Sequence, residues 1–254
     1  MHRVLTAHGV TDKGRVRPTN EDCFAIREEL GLCVIADGMG GHNAGEVAAR
    51  LAIEAVVEVV SGSPSGGALH AFGVDSTLSD EGNLLRTAIL RANAHILETA
   101  VTVERYAGMG TTIVVTRVTG GRLAVAHVGD SRLYLFDGQT LRQVTHDDSW
   151  VATILAADPQ ADPLLLQNHP MRNALTNVVG GRVRTDVHVV EEMLAGGELL
   201  LLTTDGVHGV LDGARLEHLM REGREPREIA EGVVAAAIAR GSKDNCTAIV
   251  ARYS

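Results

Sequence analysis

The chain has 254 residues, 45% apolar and 22% charged, enough to bury a core that needs no disulfide staples. Its formal charge is −9 and aromatics make up 3% of residues, so it lacks both the cationic face and the stacking platforms of a nucleic-acid binder. Cys23, Cys33 and Cys246 form no CxxC pair, no apolar run approaches the ~20 residues of a membrane span, and MHRVLTAHGV has no signal-peptide core, so a soluble cytoplasmic protein is expected.

In chain order, GLCVIAD (31–37) reads as a buried strand ending in an acid. A helical period follows over 43–60, with Ala48, Leu51, Ala52, Ala55 and Val59 on one face. Residues 61–79 form a Gly/Ser-rich loop long enough to be expected mobile. A second amphipathic helix spans about 81–102, with Leu85, Ala88, Ile89, Ala92 and Ile96 in register. TTIVVTRVT (111–119) and RLAVAHVG (122–129) flank Gly120–Gly121, and RLYLF (132–136) and TLRQVT (140–145) flank Asp137–Gly138–Gln139; both are hairpin signals. Residues 147–184 are mixed and helical, punctuated by Pro159, Pro163 and Pro170. Strands at 185–192 and 198–204 are expected to join at Gly196–Gly197, and a helix near 225–240 leads to a last strand, 246–253. Consecutive helices between groups of hairpins do not make a doubly wound parallel sheet. The pattern calls for antiparallel sheets packed face to face with helix pairs outside.

Three apolar strands end in aspartate, at Asp37-Gly38, Asp130 and Asp205-Gly206, and Asp244 precedes the final strand. One strand-terminal Asp is most often a turn residue that satisfies nearby N–H groups. Four of them make that explanation poorer for the set. If the strands share an edge, their carboxylates converge, repel and require cations, and hard oxygen ligands suit Mg²⁺ or Mn²⁺. Gly38 lets the backbone turn its carbonyl towards an ion. In RPTNED (17–22), Arg17 precedes Glu21 and Asp22, either as a surface turn begun by Pro18 or as a phosphate clamp beside the acids.

These stretches resemble the metal-dependent Ser/Thr protein phosphatases (PPM, or type 2C). The matching segments are Arg17-Pro-Thr-Asn-Glu-Asp22, Asp37-Gly-Met-Gly-Gly-His42, Gly110-Thr-Thr112, Gly129-Asp-Ser-Arg132, Thr204-Asp-Gly206 and Gly241-Ser-Lys-Asp-Asn245, in family order over nearly the whole chain. DGMGGH and HPMRNALT (169–176) look like the bacterial branch. The resemblance implies an α+β fold, a four-layer α/β/β/α sandwich of two antiparallel sheets flanked by helix pairs. It implies a single catalytic domain over 1–254 with a flap subdomain at about 147–184. The implied activity is hydrolysis of phosphoserine and phosphothreonine in proteins by a metal-activated water, with two to three Mn²⁺ or Mg²⁺ ions. By position, Asp37 would bridge two metals, the Gly38 carbonyl would bind one, Asp205 and Asp244 would hold the other, and Asp130 would help hold a third. Arg17 would grip the phosphate, and Glu21 and Asp22 would orient waters. The implied partners are phosphorylated Ser/Thr proteins, a bacterial Ser/Thr kinase and its targets, in signal transduction by a monomer, with no nucleic acid or membrane.

The sequence departs from the family at two places. In many eukaryotic members a histidine directly follows the Asp-Gly and is a candidate general acid; here Met39 stands there, and His42 is either the proton donor or simply the start of a helix. Asp158-Pro-Gln-Ala-Asp-Pro163 replaces the glycine-containing turn usual in the flap. The eleven histidines are otherwise scattered, with no HxxxH pair, and most read as surface or satisfied residues. Cys246 and Arg252 have the C-x5-R spacing of cysteine-dependent phosphatases, but Thr-Ala-Ile-Val-Ala between them reads as a strand rather than a phosphate cradle. Two other functions share parts of this pattern: a catalytically silent phosphoprotein sensor, which would have lost a metal aspartate, and a metal-dependent phosphodiesterase.

Overall fold

The structure is a computed structural model that describes residues 5–41, 44–62, 72–162, 165–166 and 169–254. Two antiparallel sheets pack face to face. The first has the order β2-β3-β5-β6-β9, from Asp22–Arg27, Leu32–Met39, Ile113–Thr119, Arg122–Val128 and His188–Met193, with the short β4, Gly110–Thr111, paired to β3. The second has the order β1-β11-β10-β7-β8, from Leu5–Asp12, Cys246–Tyr253, Leu199–Thr203, Arg132–Phe136 and Leu141–Gln143.

Period-two alternation sorts the apolar residues into three layers. On β3, Leu32, Val34 and Ala36 face outward onto α1, Ala44–Ser61, and α2, Asp80–Thr102. Cys33 and Ile35 face inward and meet Val125, Leu200, Leu202 and Ile249 between the sheets. The outer face of the second sheet carries Tyr134, Leu201, Ala248 and Val250. Against it pack the short α4, Asp205–His208, then α5, Gly213–Glu222, and α6, Pro226–Ala239. This is the expected α/β/β/α sandwich, its core built almost wholly from aliphatic side chains.

Local chemistry sets the element ends. Ser79 caps α2 by accepting the Gly82 N–H, with Asp80 and Glu81 in the first turn where acids favour the helix dipole. Gly120 and Gly121, at φ +58° and +85°, make the two-residue turn between β5 and β6. α1 and α2 fall within two residues of the predicted helices. The stretch 63–71, about half of the loop expected to be mobile, lies outside the described residues. Segment 147–184 contains α3, Trp150–Ala157, capped by Ser149.

One expected hairpin is absent. β9 pairs with β6 in the first sheet, whereas β10 pairs with β11 and β7 in the second. Gly196 and Gly197, both at positive φ, carry the chain across from one sheet to the other instead of reversing it within one. Alternation and a Gly-Gly turn mark two strands; they do not say which neighbour each strand has.

Candidate active site

The inward parity of β3 runs Cys33, Ile35, Asp37, so the third inward position, at the rim of the apolar layer, is an acid. β2 pairs with β3 so that Asp22 lies directly opposite Asp37. Such opposite residues share a face, and two like charges there are unfavourable unless something offsets them. From the other sheet, β10 ends at Thr203, and Asp205 opens α4 two residues on. Asp244 precedes β11, and Asp130 sits where the chain crosses from β6 to β7. All these ends meet at one edge of the sandwich.

The result is a cleft of about 280 Å³ lined by Arg17, Glu21, Asp37, Gly38, Asp130, Asp205 and Asp244 among the expected residues. Asp22 is not in the lining. It is buried behind it, where its Oδ2 accepts the hydroxyls of Thr204 at 2.8 Å and Thr247 at 2.6 Å. Thr247 lies on β11 and Thr204 directly follows β10, whereas Asp22 lies on the first sheet, so this carboxylate ties the two sheets together at the cleft. His42 lies outside the described residues. A groove of about 440 Å³ between α5 and α6 is larger, but among the described residues Asp212 is its only acid, so it offers no comparable chemistry.

Several family motifs hold the acids in place. Thr112 Oγ1 accepts the Asp37 N–H at 3.1 Å, its own N–H donates to the Asp37 carbonyl at 2.9 Å, and Thr111 Oγ1 donates to that carbonyl at 2.8 Å. Thr112 Oγ1 is 2.7 Å from Ser131 Oγ, which links Asp37 to the crossover bearing Asp130. Asn245 accepts the Glu21 N–H at 2.9 Å and donates to the carbonyls of Lys13 and Thr19, anchoring the loop that carries Arg17. Gly38 is required by space: a Cβ there would come within 2.1 Å of the Gly45 carbonyl oxygen. Glu21 accepts the N–H of Gly45 in the first turn of α1, so it serves that helix start as well as facing the cleft.

Electrostatically the set is under strain. Burial first, then Asp22, Asp205, Asp130 and Asp244, push the Asp37 carboxyl well above its ordinary range. Burial raises Asp22 to about 7 against the pull of the two threonine hydroxyls, and raises Asp130 to about 7 with help from Asp205 and Asp147. Asp205 is raised by burial and by Asp244, and its carboxyl lies within hydrogen-bonding reach of Asp37. Among the described residues Arg17 is the only cationic side chain in the lining, and its Nη2 is 2.5 Å from Asp244 Oδ2. Asp22 Oδ1 and Asp205 Oδ1 are buried with no hydrogen-bond donor among the described residues. Oxygen donors in excess, unpartnered and short of positive charge, fit hard divalent cations such as Mg²⁺ or Mn²⁺.

Beyond the expected residues, Thr112, Asn173, Leu175 and Asn245 also line the cleft. Asn173 and Leu175 fall within HPMRNALT, a segment the sequence singled out only as a branch signature. The Cys246–Arg252 pair is inert in this respect. Cys246 opens β11, which is paired on both sides, and burial raises its thiol pKa, so neither a phosphate cradle nor a thiolate is present.

The model of the family described as protein phosphatase 2C matches residues 15–230. The chain is 31% identical over 245 residues to serine/threonine phosphatase stp of Listeria welshimeri, covering 94% of this chain and 92% of that one. Among solved structures it is similar to the Mycobacterium tuberculosis serine/threonine phosphatase PstP/Ppp, at 31% identity, 98% of each chain and a TM-score of 0.84. It is also similar to the catalytic domain of the serine threonine protein phosphatase PstP in complex with 2 manganese ions, at 29% identity, 99% of each chain and a TM-score of 0.82.

Proposed function

The chain belongs to the protein phosphatase 2C family, and from that premise we propose how its cleft works. The protein is a metal-dependent protein serine/threonine phosphatase that uses Mn²⁺ or Mg²⁺. The observation that carries the site assignment is the convergence of Asp37, Asp130, Asp205 and Asp244 from both sheets on a cleft with one cationic side chain among the described residues.

In our reading Asp37, the Gly38 carbonyl, Asp205 and Asp244 would hold two ions, and Asp130 would help hold a third. Bound there, the ions supply a water of lowered pKa as nucleophile and offset charge on the phosphoryl oxygens. The chain's own groups do the rest. Arg17, half exposed on its anchored loop, exchanges Asp244 for the substrate phosphate and fixes two of its oxygens. Asp22, buried behind the cleft, keeps the sheets, and with them Asp37 and Asp205, in register, and its Oδ1 would orient a water that reaches it from the cleft. Glu21 orients a second water and holds the first turn of α1. His42 protonates the leaving alkoxide, an assignment that rests on the sequence alone. Segment 147–184 acts as a flap on a single catalytic domain, with Asn173 and Leu175 on its cleft side. We place the enzyme in the cytosol as a monomer, reversing the work of a bacterial Ser/Thr kinase in signal transduction. Among the described residues no helix is long and apolar enough to cross a membrane.

A substrate panel tests this reading. With Mn²⁺ present, phosphothreonine peptides should be hydrolysed and phosphodiesters left intact; the reverse would make the protein a phosphodiesterase, and no hydrolysis of either would make it a silent sensor. Within the panel, Arg17→Ala should raise KM on the order of 10-fold or more, as expected for a lost charge-assisted hydrogen bond, and lower kcat less. An unchanged KM would remove Arg17 from phosphate binding.

A further inference from the structure

The histidines show no pattern along the chain, yet three of them meet. β6 and β9 are antiparallel partners whose register sets His127 directly opposite His188. Both lie on the face between the sheets, where Leu123 and Val125 precede His127. His146, on the segment leaving β8, brings its ring centroid to 4.9 Å from that of His127 and 4.2 Å from that of His188. The His127 and His188 rings stack at 5.0 Å. Asp148, two residues after His146, places Oδ1 2.9 Å from His188 Nε2.

One donor atom from each of His146, Asp148 and His188 lies within 4.8 Å of the other two, a spacing at which the three can share one ion. A second observation points the same way. His127 is fully buried, and neither of its ring nitrogens has a hydrogen-bond partner among the described residues. A neutral imidazole carries one donor and one acceptor, and leaving both buried and unsatisfied is costly. Burial, and then His188 and His146, lower its pKa to about 3, so it holds the neutral form in which imidazole binds metal.

We propose that His146, Asp148 and His188, with His127 behind them, form a second metal site, one for a borderline transition ion of the Zn²⁺ class. Imidazole-rich donor sets select such ions, whereas the all-oxygen cleft selects Mg²⁺ or Mn²⁺. None of the four residues lines that cleft, and His146 is exposed, which gives an ion a way in. The position has a structural consequence. Asp148 Oδ2 accepts the N–H of Gly129 at 3.0 Å and Asn177 Nδ2 at 2.8 Å, and its carbonyl accepts the Thr176 N–H at 2.8 Å. An ion held there braces the base of segment 147–184 against the crossover that carries Asp130.

The test reads binding, so it stands whether or not the protein hydrolyses phosphate. Chelator-stripped protein carrying Asp37→Asn and Asp205→Asn, which removes a ligand from each of the two ions proposed for the carboxylate cleft, is dialysed against Zn²⁺ and the bound metal counted. One zinc per chain is expected, and adding His146→Ala should weaken its affinity on the order of 10²-fold, as loss of a direct ligand should cost at least as much as loss of a ligand's supporting partner. His146 is exposed, so its replacement should leave the metal-free melting temperature unchanged; His188→Gln provides a second variant. With Co²⁺ as probe, the strong visible bands of a four-coordinate site with mixed nitrogen and oxygen ligands should appear and vanish with His146→Ala. No zinc bound, or binding that ignores both histidine substitutions, would overturn the proposal.

Discussion

Asp37→Asn is expected to lower kcat/KM on a phosphothreonine peptide by at least about 10³-fold, because metal ions contribute several kcal/mol to such reactions and each 1.36 kcal/mol is tenfold. Asp37 lies opposite Asp22, within reach of Asp205, and its backbone is fixed by Thr111 and Thr112, so no neighbour can replace it. The same substitution should make the metal-free protein more stable at neutral pH, not less. The direction follows from the carboxyls of the cleft. Asp22 and Asp130 titrate near 7 in the fold and Asp37 is also raised, against an ordinary value of 3.8. Between those values the native state binds more protons than the unfolded chain, so stability falls as pH rises through that window. Asn at position 37 removes one charge from the crowd and should flatten that fall. Melting curves without metal, at acid and neutral pH, check it; a variant that is both inactive and less stable at neutral pH would mean Asp37 is a folding residue.

Gly206→Ala should be nearly as damaging, for a reason of space. A Cβ on Gly206 would come within 1.9 Å of the Asn245 carbonyl oxygen, a backbone atom that cannot step aside alone. The contact sits between Asp205 and Asp244, so any relief moves the two acids apart. Overpacking of this kind costs about 1–3 kcal/mol, and in a chain of this size each kcal/mol lowers Tm by roughly 2–4 °C. Mn²⁺ affinity should fall with it, because the ligand pair no longer meets. Gly232→Ala on α6 is the control: nothing among the described residues lies within 4 Å of its added Cβ, and alanine favours a helix interior, so stability should hold or rise slightly. Equal Tm and equal Mn²⁺ affinity in Gly206→Ala would show that the loop can shift without cost.

The paired sheets and the carboxylate edge were legible because each leaves a local trace. Alternation marked β5, β6 and β7, glycine pairs marked turns, and aspartates at the ends of apolar strands marked the cleft. β1 and β2 were not read. Leu5–Asp12 carries polar residues and Gly9, whose missing side chain makes room for the Phe24 ring, so its pattern is weak. α5 announces itself only through Asp212, which caps it by accepting the Arg215 N–H, and through the buried Leu216 and Met220. The anchoring work of Asp22 and Asn245 joins residues more than two hundred positions apart, and nothing local encodes it. The same holds for the histidines. His127 and His188 are opposite each other only because β9 adds to the first sheet rather than pairing with β10.

Ions held by the carboxylate cleft are proposed to drive phosphate ester hydrolysis, and metal titration measures this directly. Mn²⁺ is returned stepwise to chelator-stripped wild-type protein, and bound metal and phosphate release from a phosphothreonine peptide are measured in the same samples. Activity should be absent at the start and rise in step with the ions bound, and Asp37→Asn should abolish both the tight binding and the rise. Full turnover by stripped protein, or turnover that does not follow the metal bound, would contradict the account.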